Sequence, residues 1–278
     1  MAVGGAEPAG VARLLALGLF GVCCAVVALA LAGADLWPGA VVGFGAAMLF
    51  FLAATFVLLT RRPCRRAASG VQLTEVDGRT GLVIRYSTPV FVVLVLLVVD
   101  LAVIGAAGAV GFGAAVAETP WSLVGALLCW LFVAVALVFP AQVVCGRRRP
   151  GAVVLSEDGI WQRGMSFVSA VPWHAVVEVR LVDEDRTKLL VVAGATAEWE
   201  RRAVGVLWRV DALPLTPILE IDFLFCRVDP ALLGRMIRFY RDNPRCRAEL
   251  GTRAALRRAH EDVFDPPRGE EGRGGTGE

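Results

Sequence analysis

The chain reads as an α-helical membrane bundle of four transmembrane helices joined to a cytoplasmic α+β domain, an antiparallel β-sandwich or barrel capped by a C-terminal helix. Three observations predict this. Four stretches, Leu14–Ala34, Leu36–Thr60, Pro89–Ala117 and Thr119–Gly146, contain no charged residue except Asp100. Arginine clusters follow the second and fourth stretches at once. From Gly151 onward, short runs of alternating apolar and polar residues replace the long apolar ones.

Each apolar stretch matches the roughly 20 residues that a helix needs to cross ~30 Å of hydrocarbon. The 278 residues are 56% hydrophobic, and the mean hydropathy of +0.64 exceeds that of ordinary soluble domains. The excess lies almost wholly before Arg147, which divides a membrane half from a soluble half. A net charge of +2 gives no general field for nucleic acid. The seven cysteines show no CxxC spacing, and Cys23, Cys24, Cys129 and Cys145 fall inside the apolar stretches. A reduced, cytoplasmic setting for the soluble half follows.

Orientation comes from the arginines. Arg61, Arg62, Arg65 and Arg66 end the second span, and Arg147, Arg148 and Arg149 end the fourth. The opposite connections, around Asp35 and Glu118, carry acid and no base. The positive-inside rule then puts both termini, the loop 61–88 and the C-terminal half in the cytoplasm of a bacterial inner membrane. A cleaved signal peptide is the competing reading of the first span, through Ala32-Gly33-Ala34. Its apolar run is longer than a usual signal core, and only Arg13 precedes it.

Within the spans, Gly39 and Gly43 make a GxxxG step, and Gly105, Gly108, Gly111 and Gly113 keep the third span small. Small residues let helices approach closely in lipid, so tight packing of the bundle is expected. Asp100 stands near the middle of the third span. A carboxylate there costs about 2.5–3.5 kcal/mol on insertion scales, so it is expected to face the bundle, with Thr55, Ser122 or a backbone carbonyl freed near a glycine as partner. Its functional reading is a proton or cation relay.

The loop 61–88 contains VQLTEVDGRTGLVIRY. Two β-branched runs flank Asp77-Gly78, which predicts a hairpin over Val71–Tyr86. A lone hairpin is marginal in water, so it should pack on the C-terminal domain. In that domain, strands are expected at Val153–Ser156, Ile160–Arg163, Val171–Asp183, Leu189–Ala193 and Ile218–Phe225. Asp229-Pro230 opens a helix whose Leu232, Leu233, Met236, Ile237 and Tyr240 share a face. Asn243-Pro244 restarts a helical segment to residue 264, and Gly, Pro and charge in 265–278, like residues 1–10, predict disorder.

The run VVLSEDGIWQRG followed by VPWHAVVEVR resembles bacterial pleckstrin-homology-like (PH-like) domains, which pair a strand, a D-G turn, an aromatic-x-Arg step and a Pro-containing strand. The helix Asp229–Asp242 resembles the helix that plugs the open end of such barrels, and FYRDNPRCRAELGTRAALRR resembles the endings of actinobacterial multi-pass membrane proteins. The resemblance spans roughly Gly151–Arg241 and departs between Ala197 and Pro217. It implies a PH-like domain over 147–242 and binding of lipids, peptides or proteins, without catalysis.

No nucleophile elbow, P-loop, zinc or dinucleotide motif is present, so no catalytic residue, cofactor or metal ligand is assigned. His174 and His260 lack metal-ligand spacing, and Asp183-Glu184-Asp185 reads as a solvated turn. Arg61, Arg62, Arg65, Arg66, Arg147, Arg148 and Arg149 are candidates for the anionic headgroup surface. Trp199 and Trp208 are candidates for interfacial contact, within Glu198–Val210 as a short amphipathic helix. The expectation is a non-enzymatic, membrane-tethered binding or scaffolding module with a lipid or protein partner. A small transporter, channel or accessory subunit using Asp100 is the alternative.

Overall fold

The computed structural model describes residues 8–61, 70–76, 78–117, 119–183, 187–194, 199–203, 217–226 and 228–264. The chain forms two compact units, one of residues 1–62 with 88–149 and one of residues 63–87 with 150–278.

The first unit is helical. It comprises α1 (Pro8–Gly33), α2 (Trp37–Arg61), α3 (Thr88–Ala114) and α4 (Trp121–Val144). All four are long and apolar enough to cross a membrane. Each packs on its sequence neighbour, α1 on α2, α2 on α3, and α3 on α4. Small residues set these approaches. A Cβ at Gly43 would lie 2.8 Å from the Cβ of Ala28, and one at Gly105 would lie 2.9 Å from the ring of Phe132. At Gly45 it would strike the Ile104 side chain of α3. The GxxxG step therefore serves the α1–α2 contact, with Gly39 against Leu31 and Gly43 against Ala28. Asp35 turns the chain between α1 and α2 at φ 58°, a left-handed conformation that a short polar side chain tolerates.

The second unit is built on two antiparallel sheets. Its strands are β1 (Val71–Val76), β2 (Arg79–Arg85), β3 (Ala152–Leu155), β4 (Gly159–Arg163), β5 (Phe167–Pro172), β6 (Val176–Asp183), β7 (Thr187–Ala193), β8 (Glu200–Ala203) and β9 (Ile218–Asp222). The larger sheet has the order β1-β2-β3-β4-β5-β8, and the smaller has β6-β7-β9. Two helices follow, α5 (Pro230–Asp242) and α6 (Arg253–Glu261).

The hairpin forms as its turn chemistry predicts, with Gly78 at φ 78°. It does more than pack on the C-terminal half. β2 pairs directly with β3, from Leu82 opposite Leu155 to Arg85 opposite Ala152. Tyr86 N–H continues the pairing to the Gly151 carbonyl at 2.8 Å. The loop between the membrane hairpins is thus part of the sheet.

One apolar core lies between the sheets. Leu82, Ile84, Val153, Leu155 and Ile160 of the large sheet meet Leu189, Val191, Leu219 and Ile221 of the small one. Leu232, Leu233, Met236, Ile237 and Tyr240 of α5 complete it. Asp229 caps α5 by accepting from Ala231 N–H, and Pro230 opens it. Arg238 and Arg241 of α5 donate to the Val179 and Val177 carbonyls, which covers the open edge of β6.

Several expectations are corrected. Val171–Asp183 is not one strand: β5 ends at Pro172, a 3-10 turn spans Trp173–Ala175, and β6 begins the second sheet. Proline lacks the N–H that a continuing ladder needs. Strand β9 ends at Asp222, whose side chain accepts from Leu224 N–H and turns the chain. The stretch after Asn243 is a 3-10 helix over Pro244–Glu249, and the α-helix starts only at Arg253, capped by Thr252. Within 198–210, residues 200–203 form strand β8 on the edge of the large sheet, not an amphipathic helix.

Candidate functional site

In the helical unit, Asp100 lies where α3 approaches α2. Its Oδ1 would be 3.7 Å from a Cβ at Gly45. Its Oδ2 is buried and meets no hydrogen-bond partner among the described residues. Thr55, expected as a partner, instead donates to the Phe51 carbonyl at 2.8 Å, one turn back on its own helix. Ser122 sits in the first turn of α4, buried. Asp100 is therefore an acid on an apolar helix long enough to cross a membrane, placed opposite Gly45 at the α2–α3 contact.

At the end of α4, Arg147 and Arg149 are exposed. Arg148 departs from the expected headgroup-facing role. It is only 2% exposed, folds back over the Phe139 ring at 5.1 Å, and donates from Nε to Gln142 Oε1. The Phe139 face and the Gln142 amide replace water around its charge. Arg62, Arg65, Arg66 and Trp208, with the side chain of Arg61, lie outside the described residues.

Trp199 is half-buried and packs against the β core. Arg201 stands over its ring at 6.0 Å. The residue anchors the start of β8 to the sheet.

The large sheet is coiled. Arg79 of β2 and Glu200 of β8 form a 2.9 Å ion pair. Four strand spacings separate those strands, about 19 Å if the sheet were flat. The pair therefore marks strong curvature, with both side chains on the hollow face. Val83, Val154 and Trp161 line that face and are buried.

Between the sheets, Gln162 is 2% exposed. Its Nε2 donates to Tyr86 Oη at 3.0 Å and to the Glu220 carbonyl of β9 at 2.9 Å. Gln162 Oε1 and Ser169 Oγ, on residues opposed across β4 and β5, are buried and meet no hydrogen-bond partner among the described residues. A polar residue following Ile160 at an inward position was the available signal for this bridge.

A second polar cluster ties the C-terminal elements. Tyr240 Oη donates to Glu249 Oε1 at 2.9 Å, and Arg258 Nε donates to the same oxygen at 2.8 Å. Arg258 also lies over the Phe239 ring at 4.7 Å. Burial, then the hydrogen bond to Glu249, pushes the Tyr240 phenol well above its ordinary value. Burial likewise pushes the Cys226 thiol up, with Asp222 adding to it.

His174 sits in the 3-10 turn after β5, while His260 is on α6 with Nδ1 against the Leu256 carbonyl. Among the described residues, no group of three His, Cys, Asp or Glu side chains is placed to hold a metal ion. No family model, curated protein or solved structure matches the chain.

Proposed function

We propose that the chain is a non-enzymatic binding or scaffolding module, tethered in a bacterial inner membrane with its β unit in the cytoplasm. The observation that carries this reading is the pairing of β2 with β3. Because of it, three chain connections join the helical and β units: α2 to β1, β2 to α3, and α4 to β3. Three passages of the chain between the units make the β unit inseparable in sequence from the apolar helices, so whatever it binds is bound by a membrane-anchored protein. Such anchoring suits a module that binds lipid or a membrane neighbour.

A PH-like identity for the β unit is supported by the order of its elements. A large antiparallel sheet is followed by a three-stranded sheet and then by a helix that contributes to their shared core. β1, β8 and α6 are additions to that plan. The arginine positions support the cytoplasmic orientation. Fold resemblance alone leaves the ligand open.

The alternative, a small transporter or accessory subunit, is favoured by the unpartnered Oδ2 of Asp100. Two measurements separate them. Intact protein purified in a neutral detergent is analysed by mass spectrometry for stoichiometric lipid or protein, and wild-type and Asp100→Asn proteins are compared for proton flux in sealed vesicles. Retained lipid or partner with no flux supports the module. Flux that Asp100→Asn abolishes, while the bundle still assembles, replaces it with the transporter.

A further inference from the structure

We propose that the outer edge of β6 is a strand-pairing surface for β6 of a second copy of the chain, kept closed by Arg238 and Arg241. β6 pairs with β7 on one side only. An edge strand points the N–H and C=O groups of alternate residues outward, ready for another strand. On β6 the carbonyls of Val177 and Val179 are such groups. Arg241 Nη1 donates to the first and Arg238 Nη2 to the second, each at 3.1 Å. One turn of α5 thus sets two guanidinium groups where a neighbouring strand would place its amides.

The closure is specific. Asp242 grips Arg241 through Nε at 2.7 Å and Nη2 at 3.2 Å, which leaves Nη1 for the Val177 carbonyl. Arg238 and Arg241 stand three residues apart on α5, a spacing that puts side chains on one helix face. A register irregularity between Val176 and Glu178 blunts the same edge, so the pairing surface is short, over residues 177–181.

Charge complementarity names the occupant. Residues 177–181 read Val-Glu-Val-Arg-Leu. About a two-fold axis at Val179, that residue exchanges backbone bonds with Val179 of the second copy. Glu178 then stands opposite Arg180 of the second copy, and Arg180 opposite its Glu178. Val177 stands opposite Leu181. Opposite charges and apolar pairs are favourable cross-strand combinations, so the segment is complementary to itself.

The side chains of this edge are already uncovered. Val177 is 65% exposed and Leu181 43%. With Val263, they are the only large apolar side chains so exposed among the described residues of the β unit. Glu178 and Arg180 meet each other at 2.6 Å on the surface, a pair that contributes little to the fold and is readily exchanged for its cross-strand equivalent. What the edge lacks for pairing is the two carbonyls that α5 occupies.

The test uses full-length protein in dodecyl maltoside, with mass read by analytical ultracentrifugation and folding by circular dichroism. R238M/R241M keeps the side-chain stems on α5 and removes the donors, and R238A/R241A serves if the first does not fold. The expected result is a species of doubled mass relative to wild type, with self-association strengthened about tenfold or more by the two freed carbonyls. Slower amide exchange at Val179 and Leu181 should accompany it. Adding R180E sets acid against acid and should abolish the gain, and E178R/R180E in the same background should restore it. A variant that keeps the wild-type mass, or a gain that R180E leaves unchanged, overturns the pairing surface. A wild-type background whose mass falls on introducing R180E would show the edge already open and overturn the closure.

Discussion

Arg79 and Glu200 meet at 2.9 Å although one belongs to the loop between the membrane hairpins and the other to a four-residue strand 121 positions later. Their contact joins two corners of a coiled six-stranded sheet. The side chains are 36% and 59% exposed, so the pair reports the curvature more than it enforces it. A double-mutant cycle with Arg79→Ala and Glu200→Ala is expected to give a coupling below about 1 kcal/mol. Urea unfolding followed by tryptophan fluorescence measures it, and a coupling several times larger would show the pair to be a main closure of the sheet.

Gln162 has a stronger effect because its amide is buried between the sheets. Gln162→Leu removes the donor to the Glu220 carbonyl and to Tyr86 Oη. Loss of about 1–3 kcal/mol is expected from the deprived Glu220 carbonyl. The same unfolding assay reads it, and an unchanged midpoint would mean that solvent reaches the Glu220 carbonyl.

The Tyr240 cluster predicts a pH dependence with a definite sign. The folded-state phenol lies above its ordinary value of 10.0, chiefly through burial and then through Glu249. The fold therefore binds this proton more tightly than the unfolded chain does. That contribution is complete below pH 10.0 and declines as the pH rises above it toward the folded value. Of the two tyrosines, Tyr240 should yield its phenolate absorbance only with unfolding. Tyr240→Phe should flatten the alkaline loss of stability, and a normal titration of Tyr240 in the folded protein would contradict the cluster.

In the membrane unit, Gly45→Leu should disrupt the α2–α3 contact, since even a Cβ strikes Ile104. Overpacking of this kind costs about 1–3 kcal/mol. Gly18→Leu is the matched control, because no atom lies within 4 Å of its added Cβ. Thermal melts in detergent should separate the two; similar melting temperatures would place Gly45 away from the helix contact.

Local chemistry is well written in this chain. Hydropathy alone finds the spans, Asp229-Pro230 finds the start of α5, and the Asp-Gly dipeptide finds the hairpin. The fate of the hairpin is not local. β2 has alternating partners in principle, and only the complete core selects Ala152–Leu155 as its neighbour. Strand β8 is hidden for a related reason. Glu200-Arg201-Arg202-Ala203 carries too little apolar pattern to read as a strand, and β5 supplies the ladder that makes it one. A triplet of arginines looks uniform in the sequence, and packing onto Phe139 sets Arg148 apart from Arg147 and Arg149.

Amide hydrogen exchange on the full-length protein in detergent tests most directly whether the inter-hairpin loop is a structural strand of the β unit. Residues 82–85 should be protected to the same degree as 152–155, because each supplies the other's ladder bonds. Exchange of 82–85 at free-peptide rates, with 152–155 still protected, would contradict the shared sheet and the triple connection that follows from it.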